Sequence, residues 1–303
     1  MGTRVIAVVG ATATGKSGLA TELALALGGE VVNADSMQLY QGMDIGTAKE
    51  PEAARHGVPH HLLDIWPVTQ TANVADYAKL ARAVIDEIIA RGRVPILAGG
   101  SGLYVRAALD DLDFPGTDQG IRAFLEQELA RVGAAALHAR LAGLDPVAAA
   151  AILPGNGRRI VRALEVIEIS GRPFTATMPD FAENRPAVQI GLTLPRPELD
   201  RRIAARVDRM WQAGLEAEVR SLAAQGLRDG KTASRALGYQ QLLRYLDGQW
   251  SLDEARLETM KATRRFARRQ ESWFRRDPRV RWLDAGQPPD VLLTEALRLV
   301  RAA

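Results

Sequence analysis

From residue 4 to about residue 110, short apolar runs alternate with longer stretches of helical period, the pattern of a parallel sheet wrapped by helices. Strands are predicted at Arg4 to Val9, Glu30 to Asn33 and Val94 to Ala98, and a helix at Ser17 to Leu27. Between the last two strands, Val74, Tyr77, Ala81, Val84, Ile85 and Ile88 recur at helical spacing. Asn73 stands ahead of them as N-cap, and Gly92 behind them as the stop.

From Asp113 to about Ala187 the strand pattern ceases, and the segment reads as short Ala-rich helices separated by Gly133, Gly143, Pro146, Pro154, Gly155 and Gly157. A strand returns at Val188 to Leu194, followed by one long helical stretch from Pro197 to about Gln225 with Gly214 inside it. Ser251 and Glu254 make a capping box that opens another long helix. Leu252, Ala255, Met260, Phe266, Ala267, Trp273 and Phe274 form its apolar stripe. The expected organisation is an α/β core of residues 1–113 and 188–303 with a helical insertion at residues 114–187.

Composition narrows the function classes. The 303 residues are 47% hydrophobic and 25% charged, which excludes a disordered or collagenous chain. The absence of cysteine removes disulfides, iron–sulfur clusters, thiolate zinc sites and thiol nucleophiles. No window approaches the roughly 18 apolar residues of a membrane helix. The first apolar run, Val5 to Val9, leads into glycines rather than a signal-peptide cleavage site, and Ile6 stands where a myristoylation signal needs Ser or Thr. A cytoplasmic protein with no membrane association is expected. Its net charge of +3 conceals an asymmetry, −5 over residues 1–150 and +8 over 151–303. Between Arg256 and Arg281 ten basic residues face three acidic ones, so either a polyanionic partner or a solvated helix face is indicated.

The sharpest motif is Gly10-Ala11-Thr12-Ala13-Thr14-Gly15-Lys16-Ser17, a phosphate loop of the form GxxxxGK(S/T) lying between a strand and a helix. Its glycines let backbone N–H groups close on phosphate oxygens at the positive end of the helix; Lys16 adds charge, and Ser17 is placed to ligate Mg²⁺. The expected fold is therefore a P-loop NTPase-like parallel sheet. An ordinary ATPase would also carry a strand ending in a metal-ordering acid, but Val94 to Ala98 runs into Gly99, Gly100, Ser101 and Gly102. Nor is that run a dinucleotide fingerprint, since Val105 replaces the third glycine.

An acid does follow the second strand, in Asn33-Ala34-Asp35-Ser36-Met37-Gln38. At the carboxyl end of a strand beside the phosphate loop, Asp35 suits a proton acceptor for a nucleophile, and equally a turn acid. His60, His61 and Asp64 lack a third metal ligand at suitable spacing. Arg158, Arg159 and Arg162 precede and interleave Ile160, Val161 and Leu164 at a helix start, where phosphate contact and simple exposure are both open. A small-metabolite kinase and an RNA-binding module regulated by nucleotide remain alternatives to a phosphate-releasing transferase at this level.

Taken together, these segments resemble the tRNA dimethylallyltransferase (tRNA isopentenyltransferase) family of bacterial type. The resemblance runs through GATATGKS, NADSMQLYQGMDIGTAKE, PHHLLDI, RRIVRALEV, RRIAARVDRMWQAGLEAEV, ALGYQQ and TRRFARRQESWFRR. It implies transfer of a dimethylallyl group from dimethylallyl diphosphate to N6 of the adenine immediately 3′ of the anticodon, with release of pyrophosphate. It implies that Asp35, Lys16 and Ser101 are catalytic, with Asp35 deprotonating the adenine amine. The loop from Gly10 to Ser17 with Arg106, Arg202 and Arg206 would hold pyrophosphate, with Mg²⁺ at Ser17. Contacts to the tRNA anticodon stem-loop are implied for Asp35, Ser36, Met37, Gln38 and Ser101, and for Arg122, Arg158, Arg159, Ile160, Val161 and Arg162. Arg264, Arg265, Arg268 and Arg269 extend that set. Ser101 replaces the more common Thr, and Arg158 the more common Gln. The protein is expected to act as a monomer.

Overall fold

A computed structural model of the protein describes residues 4–112, 116–174 and 185–302. In chain order its elements are β1 (Val5–Gly10), α1 (Lys16–Leu27), β2 (Gly29–Asn33), β3 (His60–His61), α2 (Val74–Ala90), β4 (Val94–Gly99) and α3 (Gly102–Leu109). There follow α4 (Gln119–Leu144), α5 (Pro146–Ala151) and α6 (Gly157–Ser170), then β5 (Ala187–Thr193), α7 (Arg196–Gln212), α8 (Leu215–Ala224), α9 (Tyr239–Leu246), α10 (Leu252–Phe274), β6 (Val280–Asp284) and α11 (Pro289–Arg301). Among the described residues no helix is long and apolar enough to cross a membrane.

The chain divides into two compact units, residues 1–111 with 183–303, and residues 112–182. The expected boundary at Asp113 lies outside the described residues. In the first unit six strands form one sheet in the order β3-β2-β4-β1-β5-β6, every pair parallel. All six residues of β1 are buried, because helices cover both faces; hence the unbroken apolar run in the sequence. Val5, Ala7 and Val9 join the core beneath α2, while Ile6 and Val8 join the one beneath α1 and α11. The chain moves from β1 past β4 to β2 on one side, and later to β5 on the other. The carboxyl end of β1 is thus the switch point where open α/β sheets bind ligands.

The N-cap of α2 is as expected: the Asn73 side chain accepts from the N–H groups of Ala75 and Asp76. The capping box of α10 forms with Ser251 and Glu254. The long helix expected from Pro197 to Gln225 is instead α7 and α8, because Gly214 takes φ 93° between them. The short edge strand β3 and the terminal pair β6 and α11 were not anticipated. In α10 the buried positions include the polar Thr259 and Gln270, whereas Met260 and Trp273 are half-buried.

The second unit packs α4, α5 and α6 around Leu125, Leu137, Leu141, Ala148, Ile152, Ile160, Val161 and Leu164. Of the breaks expected within α4, Gly133 alone leaves helical geometry, at φ 82°; Gly143 is absorbed in the helix.

Candidate active site

The switch point opens on a cavity of about 280 Å³ whose lining draws on seven separate segments. Thr12 comes from the phosphate loop, Asp35, Ser36 and Met37 follow β2, and Ser101 follows β4. Ile203, Arg206, Val207 and Met210 come from α7, and Thr259, Thr263, Phe266 and Arg269 from α10. Gly46, Thr47, Arg235, Ala236 and Leu237 complete it from loops.

Steric demands fix the phosphate loop. Gly10 has φ 136°, and a Cβ there would lie 2.6 Å from the carbonyl oxygen of Leu192 on the neighbouring β5, so only glycine fits. The Lys16 ammonium folds inward to donate to the Ala11 carbonyl at 2.6 Å, as does the Thr14 hydroxyl at 2.9 Å. Ala11 thereby serves as an internal acceptor. The Thr12 N–H is likewise spoken for: it donates at 2.8 Å to the Gln270 side chain, whose amide in turn donates to the Gly100 carbonyl at 2.9 Å. Gln270, buried on α10, ties the phosphate loop to the end of β4, and a Cβ at Gly100 would overlap its amide. The glycines after β4 thus serve close packing. Burial, aggravated by the Arg206 charge and partly relieved by Asp35, pushes the Lys16 pKa down to about 8.

Asp35 is held by a neighbour two residues back. The Asn33 side chain accepts from the Asp35 N–H at 2.8 Å and donates to the Asp35 carbonyl at 3.0 Å, while the buried Tyr77 hydroxyl donates to the Asn33 carbonyl. Asp35 Oδ1 accepts from the Met37 N–H at 2.9 Å; Oδ2 makes no hydrogen bond among the described residues. One oxygen of the carboxylate thus serves the turn, and the other is left without a partner among the described residues. The Ser101 hydroxyl accepts from the Ser36 N–H at 3.3 Å and lies the same distance from the Ser36 hydroxyl. Gln38 stands apart from the cavity lining, its amide donating to the Thr47 carbonyl at 3.2 Å. Arg206 donates to that same carbonyl at 3.2 Å; burial lowers its pKa, Asp35 opposes the shift, and Arg209 adds to it.

Other expected residues lie elsewhere. Arg106 does not reach the cavity: it is 5% exposed and its Nε pairs with Asp110 at 2.5 Å, because a buried carboxylate there needs a cation. Arg202, one turn before Arg206, pairs with Glu198 at 2.9 Å and is absent from the lining. Ile160 and Val161 are buried in the core of the second unit, which removes their side chains from RNA contact. Arg122 and Arg162 converge on the wholly buried Glu165 at 2.5 and 2.9 Å. Burial raises the Glu165 pKa, but hydrogen bonds from the two arginines outweigh it and leave the group below the usual carboxylate range. Arg158 and Arg159 are exposed at the start of α6. On α10, Arg265, Arg268 and Arg269 are exposed, and Arg264 is half-buried with its Nε unpaired among the described residues.

The Ser17 hydroxyl, in the first turn of α1, has no hydrogen bond among the described residues and is open to solvent. Such a hydroxyl fits Mg²⁺, which binds few protein ligands and completes its shell with phosphate oxygens and water.

The sequence did not single out Arg235, Gln270, Gly46 or Thr47, nor the apolar wall of Ile203, Val207, Met210 and Leu237. The only signal for these was their position within or beside the segments DIGTAKE, DRMWQ, ALGYQQ and RRQESWF.

A cavity lined by cations, a carboxylate and apolar side chains can be compared with those of known proteins. The family model described as IPP transferase matches residues 38–277. The tRNA dimethylallyltransferase of Thermobifida fusca is 69% identical over 301 residues, covering 98% of this chain and 94% of that protein. Among solved structures, the full-length tRNA isopentenylpyrophosphate transferase of Bacillus halodurans is 41% identical with a TM-score of 0.74, covering 99% and 96% of the two chains. A eukaryotic dimethylallyltransferase acting on tRNA is 25% identical with a TM-score of 0.81, covering 93% of this chain and 74% of that one. Likeness of that extent, running through both the phosphate loop and the arginine-rich helix, makes this chain a member of the IPP transferase family.

Proposed function

We propose that the protein transfers the dimethylallyl group of dimethylallyl diphosphate to N6 of the adenine immediately 3′ of the anticodon in tRNA. The observation that carries this reading is the shared cavity. Thr12 and Arg206 supply its anionic-ligand end, Asp35 its acceptor, and Ile203, Val207, Met210, Leu237 and Phe266 an apolar wall fit for a short hydrocarbon.

The adenine amine is a weak nucleophile inside a base stack, so the base must first be extruded, at a cost of a few kcal/mol. Ser36, Met37 and Ser101 are the lining residues that would receive it. In the reaction N6 bonds to the allylic carbon as the carbon–oxygen bond breaks. That bond's electron pair passes to the diphosphate oxygen, and Asp35 Oδ2 takes the N6 proton. Lys16, Arg206 and the first N–H groups of α1 stabilise the growing charge on pyrophosphate. Ser17 would hold Mg²⁺, which when bound would supply neutralisation of part of that charge. Exclusion of water by the apolar wall protects the cationic carbon from hydrolysis. Arg158 and Arg159 on α6, and Arg265, Arg268 and Arg269 on α10, are the cations available to tRNA phosphates. One chain supplies every group, so a monomer suffices.

The test is mass spectrometry of nucleosides from unmodified tRNA incubated with the protein, Mg²⁺ and dimethylallyl diphosphate. One added C5H8 unit on adenosine is expected. Phosphate transfer from ATP without such a product would establish a kinase, and tRNA retention without any product an RNA-binding module.

A further inference from the structure

The loop 44–49 supplies Gly46 and Thr47 to the cavity although no helix or strand holds it. Three consecutive N–H groups in it, those of Asp44, Ile45 and Gly46, donate to one carboxylate, Glu218 of α8, at 3.1, 2.7 and 3.2 Å. The Tyr239 hydroxyl, at the start of α9, donates to the same carboxylate at 2.5 Å. Tyr239 is fully buried, and a Cβ at Gly46 would overlap its ring. Burial first, then the Glu218 charge, raises the Tyr239 pKa, so the phenol remains a donor at any working pH. Neither Glu218 nor Tyr239 lines the cavity. What the loop they hold presents is the Thr47 carbonyl, the acceptor for Arg206.

We propose that Glu218 and Tyr239 are the positioning pair of Arg206: by collecting four donors on one carboxylate they fix the Thr47 carbonyl, which aims the guanidinium at the diphosphate. This rests on the reading of Arg206 as a diphosphate ligand. A turn without function gains little from four charge-assisted bonds, whereas a misplacement of about 1 Å at a reacting centre costs about 10²-fold in rate.

The experiment is a double-mutant cycle between Glu218→Gln and Arg206→Ala, read as kcat and KM for dimethylallyl diphosphate, with tRNA affinity and melting temperature measured alongside. Glutamine keeps the shape but turns an NH2 toward N–H groups that need an acceptor. Glu218→Gln should lower kcat/KM for the diphosphate by about 10- to 100-fold, with tRNA affinity within twofold. With Arg206 already absent, the same change should cost less than about threefold. A full loss persisting in the Arg206→Ala background would overturn the pair's role. If Arg206→Ala alone left both constants unchanged, the assignment of Arg206 would fall, and the pair's role with it. Should Glu218→Gln fail to fold, Tyr239→Phe removes one of the four bonds, keeps the ring, and carries the same cycle with an expected loss of about three- to tenfold.

Discussion

Two clusters of arginine with acid, one at the carboxyl end of the sheet and one in the helical unit, differ in how their charge is balanced. At the sheet end burial lowers the proton affinity of Lys16 and Arg206, helped by Arg206 for the first and by Arg209 for the second, and Asp35 is the acid that opposes this for both. In the helical unit Arg122 and Arg162 surround one wholly buried Glu165 and hold it ionised. Each cluster sets two cations against one acid, but in the first neither cation makes an ion pair with Asp35 among the described residues, so its partly buried charge costs stability until an anion arrives. The second is tied by direct ion pairs and joins α4 to α6. Arginine count alone distinguishes neither; the acid that each arginine meets does.

The comparison breaks most sharply at Asp35. Asp35→Asn keeps size and the bond from the Met37 N–H but removes the basic Oδ2, so single-turnover prenyl transfer should fall about 10²- to 10⁴-fold with tRNA affinity retained. Rates within threefold of the parent would reduce Asp35 to its turn.

Lys16 should give the next largest effect. Lys16→Ala is expected to weaken diphosphate binding and slow transfer by about 10²- to 10³-fold, the usual worth of one positioned donor to a developing anion. Because its pKa in the free protein is pushed down to about 8, diphosphate affinity should fall as pH rises through about 8, as the ammonium is lost. The stability effect has the opposite sign. A lysine whose folded pKa lies below its ordinary value of 10.5 penalises the fold while charged, and that penalty fades between about 8 and 10.5. Lys16→Met, melted at pH 7 without ligand, should therefore be at least as stable as the parent; a fall of several degrees would show that the bond to the Ala11 carbonyl outweighs the desolvation.

In the ion-paired cluster the order of effects is reversed. Arg122→Gln leaves Glu165 with Arg162 as its one paired cation among the described residues and should cost about 1–3 kcal/mol, seen as a lowered denaturation midpoint, while the salt dependence of tRNA binding stays fixed. The loss should be greatest near neutral pH. Glu165 has a folded pKa below its ordinary value of 4.5, so its contribution is present above that value and disappears as pH falls through the lowered one. An unchanged midpoint with a reduced salt slope would move Arg122 from the fold to the RNA.

Most of the sheet and half of the site were legible because their signals are local. The phosphate loop announces itself within eight residues, β1 is an unbroken apolar run, and Asn73 and Ser251 cap helices with their own side chains. What stayed hidden depends on distant partners. Gln270 looks like one more polar residue among arginines until α10 brings it to Thr12, 258 positions away in sequence. Arg106 and Arg206 are equally bare as letters, and only the buried Asp110 beside one and the Thr47 carbonyl beside the other separate an ion-pair residue from a cavity residue. The two-residue β3 is too short for any periodicity, and Gly214 breaks a helix whose apolar spacing runs on across it.

The smallest expected effect tests the arginines that neither cluster claims. Arg265 and Arg268 are exposed on α10, make no ion pair among the described residues and do not line the cavity, whereas their neighbour Arg269 does, stacked 5.7 Å from the Phe266 ring. Arg269 therefore confounds RNA contact with cavity shape, and the clean pair is Arg265→Gln with Arg268→Gln. If both meet RNA phosphates, each lost contact should lower the magnitude of the slope of log affinity against log salt by about 0.7–0.9. Phosphate contacts carry no base information, so cognate and non-cognate tRNA should weaken alike, with diphosphate KM at saturating tRNA unchanged. The melting temperature should not move, since no buried acid is stranded, which is the contrast with Arg122→Gln. A fixed salt slope in the double variant would place the tRNA surface elsewhere and leave this face of α10 as solvated charge, its arginines no more informative than their number in the sequence.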